Sequence, residues 1–186
     1  MAFAAVAVIA AIVAALAQPG SPARLAFPSL HPAAAPAGWA RTALPNRTAV
    51  LSYPPALHPI AGDKGSISAA QLGPKGTFQL YLNATPRQGT ETLAHWAAFR
   101  LRFLRADSAA NAHLDAAAHR VRFRGGTGSC VIDNYTTRVG AHHFQEIACL
   151  VQGRHSGSVI VAAAPAASWV QARSLLLRTV AAYQIR

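Results

Sequence analysis

Acidic side chains are scarce in this chain of 186 residues, which has 17 Lys and Arg but only 6 Asp and Glu. The formal net charge of +11 suits an anionic partner such as nucleic acid, lipid head groups or an acidic polymer. The basic residues are scattered, however, with no run of five or more, and almost all of them are Arg. Together with the many Ala residues, that excess is also explained by genomic base composition. Nucleic-acid binding is therefore not the function we expect.

Cysteine is nearly absent, and so are the sequence motifs of known active sites. Two cysteines exclude a disulfide-dense scaffold, so a hydrophobic core must supply most of the stability. The sequence has no pair of histidines at the spacing of a helical metal site, no nucleophile elbow and no phosphate-binding loop. We therefore predict that the protein is not an enzyme and that it holds neither a metal ion nor a cofactor.

Charge is also missing from the first 17 residues, MAFAAVAVIAAIVAALA. This apolar stretch is at the short limit for a transmembrane helix, and Ala15-Leu16-Ala17 has the small-x-small form of a signal-peptide cleavage site. Residues 18–37 are rich in Pro and Ala, as in a semi-rigid linker. The sequence thus predicts a signal peptide or membrane anchor at 1–17, a linker at 18–37 and one domain at 38–186. That domain would face outside the cytoplasm, or be secreted if residues 1–17 are cleaved.

Within the domain, hydrophobic periodicity predicts both strands and helices. Predicted strands lie at 48–53, 66–72 and 77–85, a helix at 91–106, a polar connection at 107–117, then further strands and a helix at 166–185. In the first helix an apolar stripe is formed by Leu93, Trp96, Phe99 and Phe103, with Arg100, Arg102 and Arg105 largely away from it.

The two cysteines lie at equal distances from the Val139-Gly140 pair. A hairpin turning at that pair places Cys130 opposite Cys149 and Ile132 opposite Ile147. The flanking turn signals predict that Phe123 faces Cys130, that Val121 faces Ile132 and that Val161 faces Cys149, which completes one apolar face. In an exported protein we expect a Cys130–Cys149 disulfide, whereas a cytosolic chain would keep two buried thiols.

The opposite face of these strands carries charged residues, and the predicted register places Arg120, Asp133 and Glu146 in one row. The row is interpreted as structural ion pairing, since such rows are common across sheets. Two carboxylates this close would alternatively suit a hydrolase that acts like a retaining glycosidase. Arg120, Arg122 and Arg124 form a stripe that would contact an anion or, more simply, be solvated.

Three stretches carry a resemblance to a known family: GWARTALPNRTAVLSYPP, LNATPRQGTETLAHWAAFR and FRGGTGSCVIDNYTTRVG. They resemble the PsbP-like family and, within it, small exported proteins of actinobacteria. The resemblance implies an α+β fold, the PsbP-like α/β sandwich, in which an antiparallel β-sheet packs with a long central helix and a C-terminal helix. It also implies a non-enzymatic domain that acts through contacts with an envelope protein, and it assigns no functional residues.

Overall fold

A computed structural model describes residues 27, 30–107 and 109–186, without the side chains of residues 107 and 109. The predicted signal peptide or anchor at 1–17 and most of the predicted linker therefore lie outside the described residues. Within the described part of the chain, no helix is both long enough and apolar enough to cross a membrane.

The described residues form strands and two α-helices in an α+β arrangement. In chain order these are β1 (Ala40–Ala43), β2 (Ala49–Tyr53), β3 (His58–Ile60), β4 (Ile67–Leu72), β5 (Phe78–Pro86), α1 (Trp96–Asp107), β6 (Ala109–Phe123), β7 (Gly126–Thr137), β8 (His143–Gly153), β9 (Gly157–Pro165), α2 (Trp169–Ala181) and β10 (Gln184–Ile185). Seven strands build an antiparallel sheet in the order β3-β4-β5-β9-β8-β7-β6, and β1-β2-β10 build a smaller one.

The main core lies between one face of the large sheet and a layer made of α2 and the small sheet. Its fully buried members include Leu51 of β2, Ile147 of β8, Leu176 of α2 and Tyr183. The Tyr183 hydroxyl is satisfied in this apolar setting because it donates a 2.8 Å hydrogen bond to Ser158 Oγ of β9. Helix α1 packs on the other face of the sheet, chiefly against β6 and β7.

Part of the predicted linker belongs to the folded domain. Phe27 and Leu30 are buried in the main core, and the N–H of Ala33 donates to the carbonyl of Ala181 at 2.9 Å. That bond satisfies a carbonyl at the end of α2, where a helix has no partners of its own. The folded unit thus begins before the predicted boundary at residue 38, because two apolar side chains in a Pro/Ala-rich stretch suffice to dock it.

Both helices are shorter than the sequence predicts, and the long central helix is not confirmed. Helix α1 has 12 residues and begins at Trp96, after a turn in which the N–H of His95 donates to the Thr92 hydroxyl oxygen at 3.3 Å. The final helix ends at Ala181, and the residues that follow it pair with β2 as strand β10. Trp169, Leu176 and Val180 of this helix lie in the main core, as does Tyr183 just after it.

The central hairpin has the predicted register, whereas the registers of its two neighbours were predicted wrongly. Cys130 lies opposite Cys149 and Ile132 opposite Ile147. On one side Phe123 faces Gly126 instead of Cys130, because the chain turns at Arg124-Gly125. A side chain at Gly125, which has φ +85°, would place its Cβ 2.1 Å from the Ile185 carbonyl oxygen, so only glycine fits this turn.

The consequences of the two register errors differ because side chains alternate along a strand. Val121 faces Gly128 instead of Ile132. The shift at this end of β6 is an even number of residues, so Val121 and Phe123 stay in the core. On the other side Cys149 faces Ile160. This one-residue shift puts Ile160 in the core and sends Val161 to the face that α1 partly covers.

The structure joins Cys130 and Cys149 in a disulfide inside the main core. Both residues are essentially inaccessible to solvent, at 1% and 0% exposed. The bond links two strands that are already paired, so its effect on stability comes mainly from the loop that it closes in the unfolded chain.

We predict that reduction of the disulfide lowers the melting temperature without unfolding the domain at room temperature. The bond spans 19 residues, and closing a loop of that length contributes about 3 kcal/mol in the chain-entropy model. For a domain of this size the loss corresponds to roughly 6–12 °C. Calorimetry with and without reductant measures the shift, with a Cys130→Ala/Cys149→Ala variant as the control that reductant must not change. An equal melting temperature in both conditions would contradict the prediction.

Candidate functional site

Two carboxylates lie side by side on the face of the large sheet that carries α1. Asp133 of β7 is directly opposite Glu146 of β8, one residue beyond the pair Ile132 and Ile147, which points into the main core. Alternation along the strands therefore puts both carboxylates on the opposite face. The predicted register thus pairs Asp133 with Glu146 as the structure does, whereas their burial, at 0% and 1% exposed, was not predicted.

The cation that neutralises this pair is Arg100 of α1. Its Nε lies 3.2 Å from Asp133 Oδ2, and its terminal NH2 group donates to Glu146 Oε1. The guanidinium is itself buried, at 9% exposed. A planar guanidinium suits this arrangement because it can bond two carboxylates at once through separate N–H groups.

The row predicted to contain Arg120 is therefore corrected. Arg120 is exposed and has φ 56° within the bulged stretch of β6 between Ala118 and Val121, and the β6 residue that faces Asp133 is Leu114. The same bulge interrupts the alternation on which the predicted Arg120/Arg122/Arg124 stripe depends. Arg122 is exposed, and Arg124 is half-buried in an isolated bridge to Gln184.

The sequence predicts that Arg100 lies largely away from the apolar stripe of its helix, but the structure buries it against the sheet. Its spacing could have indicated this burial, because Arg100 follows Trp96 by four residues and so lies on the same helix face. Trp96 is buried, and its indole N–H donates a 2.9 Å hydrogen bond to the Ala148 carbonyl of β8. The anchored ring fixes which face of α1 packs against the sheet, and because Arg100 lies on that face, its guanidinium also points toward the sheet.

Burial and neighbouring charges shift the pKa values of Asp133, Arg100 and Tyr135. Desolvation, followed by repulsion from Glu146, raises the pKa of Asp133 from its ordinary 3.8 to about 9. Burial alone would lower the pKa of Arg100, but attraction to Glu146 and Asp133 outweighs it and raises that pKa. Burial and then Glu146 also raise the pKa of Tyr135 above its ordinary value. Burial and the neighbouring Glu146 therefore favour the protonated form of Asp133.

These contacts occupy the oxygens that acid–base chemistry would need. Glu146 Oε1 accepts from Arg100, and Glu146 Oε2 accepts a 3.2 Å hydrogen bond from the Tyr135 hydroxyl. Asp133 Oδ1 has no hydrogen-bond partner among the described residues, but it is shielded from solvent. Asp133 is thus inaccessible, and Glu146, at 1% exposed, has both of its oxygens in hydrogen bonds. The described residues also contain no group of three or more His, Cys, Asp or Glu side chains that could hold a metal ion.

Beside the cluster an open cleft of about 530 Å³ runs between α1 and the part of the sheet that α1 leaves uncovered. Aromatic and aliphatic side chains form much of its wall, including Tyr81, Phe99, Phe103, Val159 and Val161. Glu146 reaches the cleft from the buried cluster, and Asp63 and Glu91 line it from the loops before α1. The sequence placed Glu91 in the first turn of a helix, whereas it precedes α1 in the structure.

No family model and no curated protein matches this chain. Among solved structures, it is similar to the solution structure of CyanoP, the cyanobacterial PsbP of Synechocystis sp. PCC 6803, with a TM-score of 0.57 and 11% identity over 81% of this chain and 94% of that chain. Weaker similarities are to a crystal structure from Bacteroides thetaiotaomicron VPI-5482 (TM-score 0.46, 13% identity, 78% of this chain and 48% of that one) and to a protein of unknown function from Pseudomonas aeruginosa (0.44, 13%, 73% and 89%). The first similarity shows that the chain has a PsbP-like fold, as the sequence resemblance implied.

We predict that Arg100→Met destabilises the protein by about 3–5 kcal/mol, because it leaves two buried carboxylates without their cation. Arg120→Met is the matched control. It removes the same charge from an exposed residue, the one that the sequence predicted beside Asp133 and Glu146. We expect the free energy of unfolding of this variant to change by no more than about 0.5 kcal/mol. Urea unfolding of the three proteins measures both values. Equal losses in the two variants would contradict the assignment of Arg100 as the neutralising cation.

We predict that the free energy of unfolding falls as the pH rises from about 4 to about 9, through the titration of Asp133. The folded protein retains a proton in this window that the unfolded chain has released, so a rising pH favours unfolding. Asp133→Asn, which resembles the protonated acid, should flatten the dependence. Denaturant unfolding at pH 5 and pH 8 measures the slope, and the same slope in wild type and Asp133→Asn would refute the assignment.

Proposed function

We propose that this protein is a non-enzymatic binding or accessory domain that acts outside the cytoplasm, with residues 1–17 as its membrane anchor or cleaved signal peptide. One observation supports it above the others. The carboxylate pair best suited to catalysis is buried and tied to Arg100, whereas the cleft beside it is open. Concave sites with apolar walls and a few polar groups are typical of ligand binding. A hydrolase that uses Asp133 and Glu146 has less support because Glu146 has both oxygens bonded.

The proposed location is supported by three independent features. The uncharged stretch at 1–17 is typical of exported or anchored proteins. A disulfide inside the core is typical of oxidising compartments. The sequence resemblance to small exported proteins of actinobacteria, within a PsbP-like fold, agrees with both.

The proposed partner is a protein of the cell envelope. Phe103 is 48% exposed at the edge of the cleft, and its ring stacks on Phe99 with centroids 6.4 Å apart. Aromatic side chains that are held rigid and half exposed are enriched where proteins meet, because they bury a large area at a small entropic cost. The face of α1 next to the cleft is therefore the proposed contact surface.

We predict that a membrane-impermeant, amine-reactive reagent applied to intact cells cross-links this domain to an envelope protein through Lys64 or Lys75, its two lysines. Both are exposed, and Lys64 adjoins Asp63 of the cleft. Phe103→Ala should reduce the adduct several-fold, because truncation of an interface aromatic commonly costs more than about 1 kcal/mol. Val139→Ala removes an exposed apolar side chain at the β7–β8 turn and should leave the adduct unchanged.

The experiment separates two ways in which the proposal can fail. A domain that reacts only after lysis would contradict the external location. An adduct of equal yield in wild type and Phe103→Ala would contradict the cleft as the contact surface. A Lys64→Arg/Lys75→Arg protein verifies that the adduct forms through these lysines.

A further inference from the structure

We infer that the cleft beside α1 binds an organic cation, an ammonium or guanidinium group carried on an aliphatic stem. The inference rests on the proposed binding function and names the chemistry of the ligand. A lysine or arginine side chain of a protein partner and a small free amine share this chemistry.

The charge of the cleft is opposite to that of the whole chain. The protein has a formal net charge of +11 and only 6 acidic residues, yet Asp63, Glu91 and Glu146 all line this cleft. Arg100 neutralises Glu146. In the part of the chain that the structure describes, neither Asp63 nor Glu91 has an ion-pair partner. Two uncompensated carboxylates therefore make this cleft attractive to a cation on a surface that otherwise repels cations.

Glu91 has an incomplete set of hydrogen bonds, which points to a missing donor. It is only 5% exposed, and its Oε1 accepts a 2.9 Å bond from the N–H of Gln88. Its Oε2 is buried and has no hydrogen-bond partner among the described residues. Buried carboxylate oxygens are normally satisfied, and a charged N–H donor forms the strongest bonds to them.

Gly89 adjoins that oxygen at the wall of the cleft. A Cβ at residue 89 would lie 2.9 Å from Glu91 Oε2, a distance that any side chain there would have to relieve. Gly89 is exposed and lines the cleft together with Glu91. A side chain at residue 89 would therefore displace the unpartnered oxygen from its place beside the cleft.

The remaining wall favours an organic cation over a metal ion. Phe99, Phe103, Val159 and Val161 present apolar surface to the cleft, which suits a hydrocarbon stem. The described residues contain no group of three or more His, Cys, Asp or Glu side chains that could hold a metal ion there. The volume of about 530 Å³ lies in the usual range for small-ligand sites. An alkylammonium matches both parts, because its stem covers the aromatic wall while its head reaches the carboxylates.

The test is a titration of the ¹⁵N-labelled domain with Nα-acetyl-lysine methylamide, followed through the indole N–H of Trp96, whose ring lines the cleft. The matched probe is Nα-acetyl-norleucine methylamide, which lacks the ammonium group. We expect saturable binding of the lysine probe in the millimolar range, as suits a ligand of its size, and none of the norleucine probe. Glu91→Gln keeps the bond from Gln88 but removes the charge, and should weaken binding about tenfold. Gly89→Ala should also weaken it, while Asp115→Asn should change it less than about twofold.

The outcomes separate this inference from the function on which it rests. No saturable shift with the lysine probe, or equal binding of the norleucine probe, overturns the inference, and so does unchanged affinity in both Glu91→Gln and Gly89→Ala. In each of those cases the surface cross-linking experiment still decides the proposed function independently. If the lysine probe binds and the Glu91→Gln variant no longer forms the cross-linked adduct on cells, the cation is a side chain of the partner protein. If the probe binds and the Glu91→Gln variant still forms the adduct, the ligand is a free amine.

Discussion

The ion cluster of Arg100, Asp133 and Glu146 is the constraint on which the outer half of this molecule depends. Strands β7 and β8 bury two carboxylates where water cannot solvate them, and such a pair tolerates burial only with a cation in contact. The cation comes from α1, so separating this helix from the sheet would break both ion pairs and leave the buried acidic side chains without a cation. Burial and the neighbouring Glu146 also raise the pKa of Asp133 to about 9, which favours its uncharged form. Helix α1 is thus fastened at one end by the Trp96 indole and at its middle by a guanidinium.

The cleft follows from the same arrangement by simple geometry. Seven paired strands make a sheet about 29 Å wide, and one helix with its side chains covers about 10–12 Å of it. Because Arg100 holds α1 over β6 and β7, the outer faces of β5 and β9 remain without a helix. Their side chains, together with the aromatic residues of α1, become the walls of an open groove. On the other face of the sheet, α2, the small sheet and Leu30 pack against the strands in the main core.

The two faces of the hairpin formed by β7 and β8 therefore have different structural roles. The inner face carries the disulfide and the apolar residues of the main core. The outer face carries the carboxylate pair that positions α1 beside the cleft. The excess of arginine over the whole chain gives no indication of this division, because Arg100 is buried and the acidic residues of the cluster and the cleft are few. Their placement, rather than their number, makes an acidic cleft on a basic protein.

The sequence by itself determined the features that depend on short stretches of chain. The Val139-Gly140 turn and the alternation of side chains were enough to pair Cys130 with Cys149 and Asp133 with Glu146, because a tight hairpin leaves little freedom in register. The tertiary structure alone decided that Arg100, 33 residues before Asp133, neutralises the pair instead of Arg120. It also set the turn at Gly125, where the distant Ile185 carbonyl leaves no room for a side chain. Both outcomes depend on contacts between segments far apart in sequence, and such contacts are selected by packing over the whole domain rather than by any local pattern.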